Sequence, residues 1–458
     1  MLDTFEHLTY SQAVRYKAND TRLIALALLG TLAFCRSASA EWHRYLVDNT
    51  GGNVGTCVQI RSGVPHIAYY SQAGLSYAQW RPTGWQIDTV DTRTSYHNGG
   101  PSLVFDRHGN PQIAFFCGTP WLAYQDSEYW CTEPIDVDSA GDYISLGLDR
   151  AGRPHVAYTQ SVGMFASRLK YAWRDSLGWH RELVDSQGGY DCVLRFDTAG
   201  RPCVAYCESW SQGALYYGCR TATGWVKDTV ITDNASQCFL TLDTLGNPHI
   251  SYYWADGTNF DLRYCERTSG TWRFDVVDHG LQLFKRGWDN CIARALNGSY
   301  RISYHAHNEG QLRYAHGNLG SWGIEVLDTV GLWNLFSSIA LDSLDRAYIA
   351  YCDEDEGNAL YLAAQVDLTG IGGRTASDPG SSTLQIRPNP GRGSVRVRAG
   401  AGCRQIEIRD TAGRKARRLA IAAGAWAEVD LRGLPAGVYF LSAAGRRRAT
   451  ARFVLLAR

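Results

Sequence analysis

An internal repeat constrains this chain more than any other feature. Each copy runs Trp, then Val-Asp, then Asp-x-x-Gly-x-Pro, then Leu-x-Tyr. The markers Trp42, Trp85, Trp130, Trp179, Trp225, Trp272 and Trp322 recur at steps of 43, 45, 49, 46, 47 and 50 residues. A unit of this length cannot bury an apolar face alone, so its copies must pack on one another. Pro65-His66-Ile67-Ala68-Tyr69, Pro154-His155-Val156-Ala157-Tyr158 and Pro248-His249-Ile250-Ser251-Tyr252 share one grammar. Alternation puts the Ile or Val and the aromatic on one strand face and the small residue on the other, where a neighbouring sheet can approach closely. The turns at Asp106 to Gly109, Asp149 to Gly152, Asp197 to Gly200 and Asp243 to Gly246 join an Asx-type residue to a glycine tolerant of positive φ, the chemistry of a hairpin turn. Each copy therefore yields four strands.

Units of this size and strand number resemble β-propeller blades. The expected fold is all-β, a seven-bladed β-propeller over residues 41–368. Trp42 to Asp48 is a lone strand at the start, and Leu360 to Ala364 lacks its Trp-type partner at the end. Pairing the two closes the ring and hides both edges. Aromatic residues at 12%, 47 Gly and 2 Met agree with many short strands and tight turns. Hydrophobic residues at 45% and charged residues at 20% exclude a disordered chain. The Asp-x-x-Gly turn is loosely similar to the Asp-box of sialidase-type propellers, and the architecture to lectin-like propellers. The turn here joins first to second strands, and no arginine triad or paired carboxylates can be assigned, so sialidase activity is not carried over.

The 45 Lys+Arg and 45 Asp+Glu cancel, which argues against a nucleic-acid partner. The balance hides a step. From Ser381 to Arg458, 15 Arg and one Lys face four acids, so 16 − 4 = +12, and the remainder carries −12. That step marks a domain boundary, with a linker over 369–380 and a small C-terminal β-sandwich over 381–458. The tail contains Ile386-Arg387-Pro388-Asn389-Pro390, then Ile406-Glu407-Ile408-Arg409-Asp410-Thr411-Ala412-Gly413-Arg414, then Val429-Asp430-Leu431-Arg432-Gly433-Leu434-Pro435-Ala436-Gly437-Val438-Tyr439-Phe440. In this order the motifs resemble the type A C-terminal sorting domain of the type IX secretion system. The resemblance implies that machinery as a partner, with passage through the periplasm to the outer surface or beyond. At the other end, Arg22 precedes the apolar run from Leu23 to Phe34, followed by Ala38-Ser39-Ala40. This pattern reads as a signal peptide over 1–40. The run of about 12 residues is short of the roughly 20 that span a bilayer, so the mature protein is expected to have no integral membrane segment.

Export permits disulfides, and among 13 Cys the candidate pair is Cys192 with Cys207, which flank one hairpin turn. Buried free thiols packing as small apolar groups are the alternative. No Cys-x-x-Cys pair exists, so no zinc site is assigned. The links from fourth to first strand and from second to third vary in length and share one rim. They carry Tyr96, His97, Tyr143, Tyr190, Asp191, Trp210, Trp254, Phe260, Trp288, His305, His307 and Trp333. Mixed polar and aromatic side chains around a concave mouth suit ligand capture, with a glycan or a surface protein as the partner.

Tyr304-His305-Ala306-His307 ahead of Leu312-Arg313-Tyr314 is similar to the His and Tyr grouping of propeller polysaccharide lyases. That resemblance implies proton abstraction beside a uronate carboxylate, with Arg313 offsetting its charge. Leu-Arg-Tyr is also the ordinary third-strand motif, as in Leu262-Arg263-Tyr264, so no catalytic residue is assigned. Asp353-Glu354-Asp355-Glu356-Gly357-Asn358 has carboxylates suited to Ca²⁺ but not the spacing of a defined calcium loop; no metal or other cofactor is assigned. His66, His155 and His249 occupy equivalent places in separate units and belong to the repeat. The expected function is an exported or surface-displayed propeller that binds a ligand, the alternatives being polysaccharide cleavage and a structural surface role.

Overall fold

The computed structural model describes residues 41–50, 55–93, 99–126, 129–139, 141–163, 166–209, 211–281, 285–332 and 336–369, and in the tail 384–392, 394–399, 405–410, 414–420, 426–435, 437–444 and 449–455. The expected signal peptide and nearly all of the expected linker lie outside them. The chain divides into two compact units between Leu368 and Thr369.

In the first unit the repeat folds as antiparallel sheets of consecutive strands. The third copy is representative, with Ile144–Leu148, Pro154–Gly163, Ala166–Asp175 and Gly178–Asp185 in that order. The Asp-x-x-Gly turn is held by its own carboxylate. Asp149 Oδ1 accepts from the backbone N–H of Ala151 and Arg153, both at 2.9 Å, while Oδ2 accepts from Arg153 Nε at 2.7 Å. Asp197 with Arg201 repeats this arrangement, as does Asp342 with Arg346. Where the last turn lacks glycine, Asp345 takes the left-handed conformation at φ 60°, which short polar residues tolerate best after glycine.

Seven separate blades of four strands do not form. Five four-stranded sheets stand apart, and the fourth and fifth copies run together as one seven-stranded sheet. The cause is local: the link between them is extended, so Gly224–Leu242 is a single strand of 19 residues. Its first part pairs with Gly213–Thr221 and its second with Pro248–Ala255. The sheets form a closed ring around the first strands of the copies. His43–Asp48 pairs with Ala359–Ala364, from His43 opposite Ala364 to Asp48 opposite Leu360, as expected for the lone first strand.

The repeat grammar is a set of contacts between neighbouring copies. In five copies the Trp of the fourth strand meets the Leu-x-Tyr aromatic of the copy before it. Trp130 lies edge-on to Tyr77 with centroids 5.2 Å apart, Trp225 to Tyr171 at 5.3 Å, Trp322 to Tyr264 at 5.3 Å and Trp42 to Tyr314 at 5.1 Å. In four copies the indole N–H donates to a carboxylate of the preceding copy: Trp179 to Glu133 at 2.9 Å, Trp225 to Glu182 at 2.7 Å, Trp322 to Asp275 at 2.9 Å and Trp42 to Glu325 at 3.0 Å. Val-Asp acts in the opposite direction. Its carboxylate accepts from the second-strand Tyr of the following copy: Tyr69 to Asp48 at 2.7 Å, Tyr158 to Asp136 at 2.7 Å, Tyr304 to Asp278 at 2.7 Å and Tyr351 to Asp328 at 2.5 Å. Phe115 replaces the Tyr in one copy, and Asp91 pairs with Arg93 instead. In the three second strands that carry a His after the Pro, it meets the third-strand Tyr: His66 with Tyr77 at 2.7 Å, His155 with Tyr171, and His249 with Tyr264 at 2.6 Å.

The expected Cys192–Cys207 disulfide is replaced by another. Cys203 and Cys219, directly opposite in the second and third strands, are bonded. Cys192 and Cys207 are free and buried. A bulge between Tyr190 and Val193 sets Tyr190, not Cys192, opposite Cys207. The two thiols then enter different cores: Cys192 packs with Leu194 and Tyr206, Cys207 with Val193 and Leu215.

In the tail, seven strands pair in the order Lys415–Ala420, Gln405–Asp410, Gly437–Ala444, Ala449–Leu455, Leu384–Arg392, Ser394–Ala399, Trp426–Asp430. Val395, Val397, Ile406, Ile408, Val429 and Leu431 are buried. Leu384–Arg392, Ser394–Ala399 and Trp426–Asp430 form one ladder and the other four strands a second, joined at the single pair Gly391 with Leu455.

Two outcomes follow. Trp42→Ala removes an aromatic contact and leaves Glu325 without its donor at the closure, so chemical denaturation should show a loss of about 3 kcal/mol or more; a loss below about 1 kcal/mol would contradict this role. Non-reducing peptide mapping of the secreted protein should recover Cys203 linked to Cys219, with Cys192 and Cys207 alkylated.

Candidate functional site

The first strands surround a central cavity of about 590 Å³, lined by segments 55–60, 99–104, 143–147, 191–196, 237–241, 289–294 and 336–341. At one mouth a belt of contacts joins each segment to the next. Gly55 lies so close to Gly100 that a Cβ on Gly55 would come 2.0 Å from the Gly100 Cα, and one on Gly99 would come 2.2 Å from the Asp142 carbonyl oxygen. Cys192 approaches the Tyr143 carbonyl at 3.7 Å. The Gln237 N–H donates to Asp191 Oδ2 at 2.9 Å, and the Asp289 N–H to Gln237 Oε1 at 3.2 Å. Ser337 Oγ donates to the Asp289 carbonyl at 3.0 Å, and Ser338 meets Thr56 at 3.1 Å.

Asp191, Gln237 and Asp289 sit at bulges with φ of 51°, 51° and 48°. A bulge re-aims a side chain, and here it directs two carboxylates to the mouth. Burial pushes the Asp191 carboxyl up to about 7, against the Gln237 N–H that holds it down and with the Asp289 charge adding to the rise. Burial alone pushes the Asp289 carboxyl up to about 7. Burial also drives the Tyr143 phenol upward, reinforced by Asp191.

Beside this mouth Trp288 stacks on His307 at 4.7 Å and 20°. His305 lies edge-on to His307 at 5.5 Å, and Tyr253 edge-on to Trp288 at 5.9 Å. Lys285 Nζ stands 5.5 Å from the Trp288 ring and 5.6 Å from that of Phe260. Burial lowers His305 to about 3, helped by His307, so its ring is neutral at physiological pH. His307 is lowered by burial and by Lys285. Beneath them, Tyr304 and Arg313 are both bound to Asp278, at 2.7 and 2.9 Å, and Arg286 is bound to Glu309 at 2.8 Å.

The structure brings Trp288, His305 and His307 together, and sets Tyr190 edge-on to Tyr143 at 5.9 Å beside Asp191. Trp254 stands apart, under the Arg263 guanidinium at 3.4 Å. Tyr96, His97, Trp210 and Trp333 lie outside the described residues. The acidic run weighed for Ca²⁺ is held by a cation of the chain itself: Arg44 bridges Asp353, at 2.6 Å, and Glu356, at 3.3 Å. Among the described residues no group of three or more His, Cys, Asp or Glu is arranged to hold a metal ion. Sequence reasoning missed Gln237, Asp289 and Lys285. A signal for the first two was present, since Asp191-Cys192, Gln237-Cys238 and Asp289-Asn290-Cys291 place a polar residue beside an inner-strand Cys.

Residues 385–456 match the secretion system C-terminal sorting domain. The tail is therefore a type IX sorting domain, and the protein is delivered to the cell surface or the exterior. Among the described residues no helix is long and apolar enough to cross a membrane. A search of curated protein sequences finds no match. Among solved structures the ring is similar to a polysaccharide lyase of family PL25, an ulvan lyase bound to -[GlcA(1-4)Rha3S]-, at 15% identity over 71% of this chain and 96% of the lyase, with a TM-score of 0.51. A second structure from this lyase family gives 16% identity over the same shares and a TM-score of 0.50. The SapL1 lectin in complex with alpha methyl fucoside aligns at 12% identity over 62% of this chain and 97% of the lectin, with a TM-score of 0.42. At these identities the likeness to the lyase shows the fold, a β-propeller ring.

The raised carboxyls make stability depend on pH. In the unfolded chain both titrate near the ordinary aspartate value, so their cost is absent below about pH 4, grows as pH rises and is complete above about 7. Asp191→Asn with Asp289→Asn should therefore gain stability relative to wild type between pH 4.5 and 7.5, on the order of 2 kcal/mol. Parallel stability curves for the two proteins would refute the assignment.

Proposed function

We propose that this is an exported propeller that binds a glycan at the mouth carrying Asp191, Asp289 and the Trp288 cluster, with the C-terminal domain acting as its address. The observation that carries the reading is the stack of Trp288 on His307 with Lys285 beside it. An aromatic face next to a cation and hydrogen-bonding rings suits a sugar, which offers an apolar C–H face and a polar edge. The ulvan lyase of similar fold acts on a carbohydrate, which supports testing glycans first. We also propose that the seven-stranded sheet serves as two units of the ring, so that seven copies surround the cavity. The domain limits 41–368 and 381–458 belong to the same proposal, as do Tyr190, Trp254 and His305 as further contacts on this face.

Binding is favoured over cleavage because Tyr304 is fully buried and both it and Arg313 are tied to Asp278. A glycan array on the mature protein should give hits that Trp288→Ala weakens at least 10-fold, while Leu177→Ala, at an exposed position away from this cluster, leaves them unchanged. New reducing ends or unsaturated products would move the assignment to an enzyme, and silence on both assays to a structural role. Removing 381–458 should leave a folded ring in the periplasm; surface display without the tail would defeat its role as the address.

A further inference from the structure

Inside the cavity, four residues along the strand from Asp191 and so about 13 Å from the mouth, lies a cation that the ring does not neutralise. Arg195 lines the cavity. One Nη donates to its neighbour's carbonyl, Leu194 O, at 2.7 Å, and the guanidinium lies 5.3 Å from the Phe239 ring. Among the described residues no carboxylate is paired with it. Other arginines of the ring meet acids, such as Arg220 with Glu182 and Arg313 with Asp278. The groups across the cavity that sense its charge are the Cys57 and Cys291 thiols. Burial holds both protonated, raising Cys57 and pushing Cys291 up to about 12. Arg294 lines the same cavity, and its Nε is a buried donor without a partner among the described residues.

A guanidinium has five N–H donors in a planar fork matched to two oxygens of one anion. A buried charge without a partner is costly, and an anion that supplies the missing oxygens removes much of that cost. Phe239 limits the space on one side and the neutral thiols offer no competing charge, so a small group is admitted in preference to a polymer.

We propose that the central cavity is a binding site for a small oxyanion or carboxylate held by Arg195, either a free ion or the acidic group of a single sugar residue. This does not rest on the glycan reading of the rim, since the contacting residues are different. Thermal unfolding of the mature full chain is followed while chloride is replaced, at fixed ionic strength, by sulfate in one arm and by methyl glucuronide in the other. A saturable rise in the midpoint of about 2–4 °C is expected. A response to sulfate identifies a free-ion site, and a response to the glucuronide alone a sugar-borne acid. Arg195→Met should abolish the rise. No rise in either arm, or an undiminished rise in Arg195→Met, overturns the proposal. Should Arg195→Met fail to fold, diffraction from wild-type crystals soaked separately in selenate and in methyl glucuronide decides: either anion within hydrogen-bond distance of the Arg195 guanidinium supports the site, and the absence of both there overturns it.

Discussion

The ring depends on hydrogen bonds that cross from one copy of the repeat to the next, above all the phenol of a second strand donating to the carboxylate that ends the preceding copy. Tyr158 to Asp136 and Tyr304 to Asp278 are buried enough that each side would be costly alone. At Trp42, Trp225 and Trp322 the indole donates to an acid of the copy before and lays its ring against that copy's third-strand Tyr. Neither interaction can form within a single copy. Stability therefore resides at the seams, and Trp42 brings the same contact to the point where the two ends of the ring meet.

A second constraint acts on the inner strands. Packed around one axis, they approach so closely at one mouth that Gly55 and Gly100 have no room for side chains. Elsewhere on the belt the strands bulge, with Asp191, Gln237 and Asp289 in left-handed conformations that cost about 1 kcal/mol or more each. The bulges link each strand to its neighbour and turn carboxylates toward the opening. The acidic mouth and the inner Arg195 divide the cavity into regions of opposite charge, and the aromatic and histidine cluster around Trp288 adjoins the acidic one.

The two units of the chain carry separate tasks. The basic tail directs transport, and the ring encloses the central cavity. Much of this was legible in the residues: the four-strand unit, the closing strand and the domain step follow from local periodicity and composition, and the tail motifs resemble a known sorting domain. The variable links between strands were legible as a group. The arrangement of the aromatic residues they carry was less so, because Trp288 and His305 lie on neighbouring strands and His307 on the short 3-10 turn that follows, so that the bulge at Trp288 and the register set the stack, and a bulge leaves little trace in hydrophobic alternation.

By itself the sequence determined the all-β unit, the turns built on Asp-x-x-Gly, the seam residues and the nature of the tail, because each depends on residues close in the chain or repeated at a regular step. Tertiary structure decided what depends on register between strands. The link at Gly224–Leu242 stayed extended and joined two copies into one sheet. The bulge at Asp191 sent Cys192 and Cys207 to opposite faces, leaving Cys203 and Cys219 to pair. The charge balance inside the cavity was likewise set only on closure, since Arg195 meets the neutral thiols of distant copies rather than an acid nearby in sequence. A one-residue shift in pairing exchanges the faces of a strand, and local pattern does not specify such a shift.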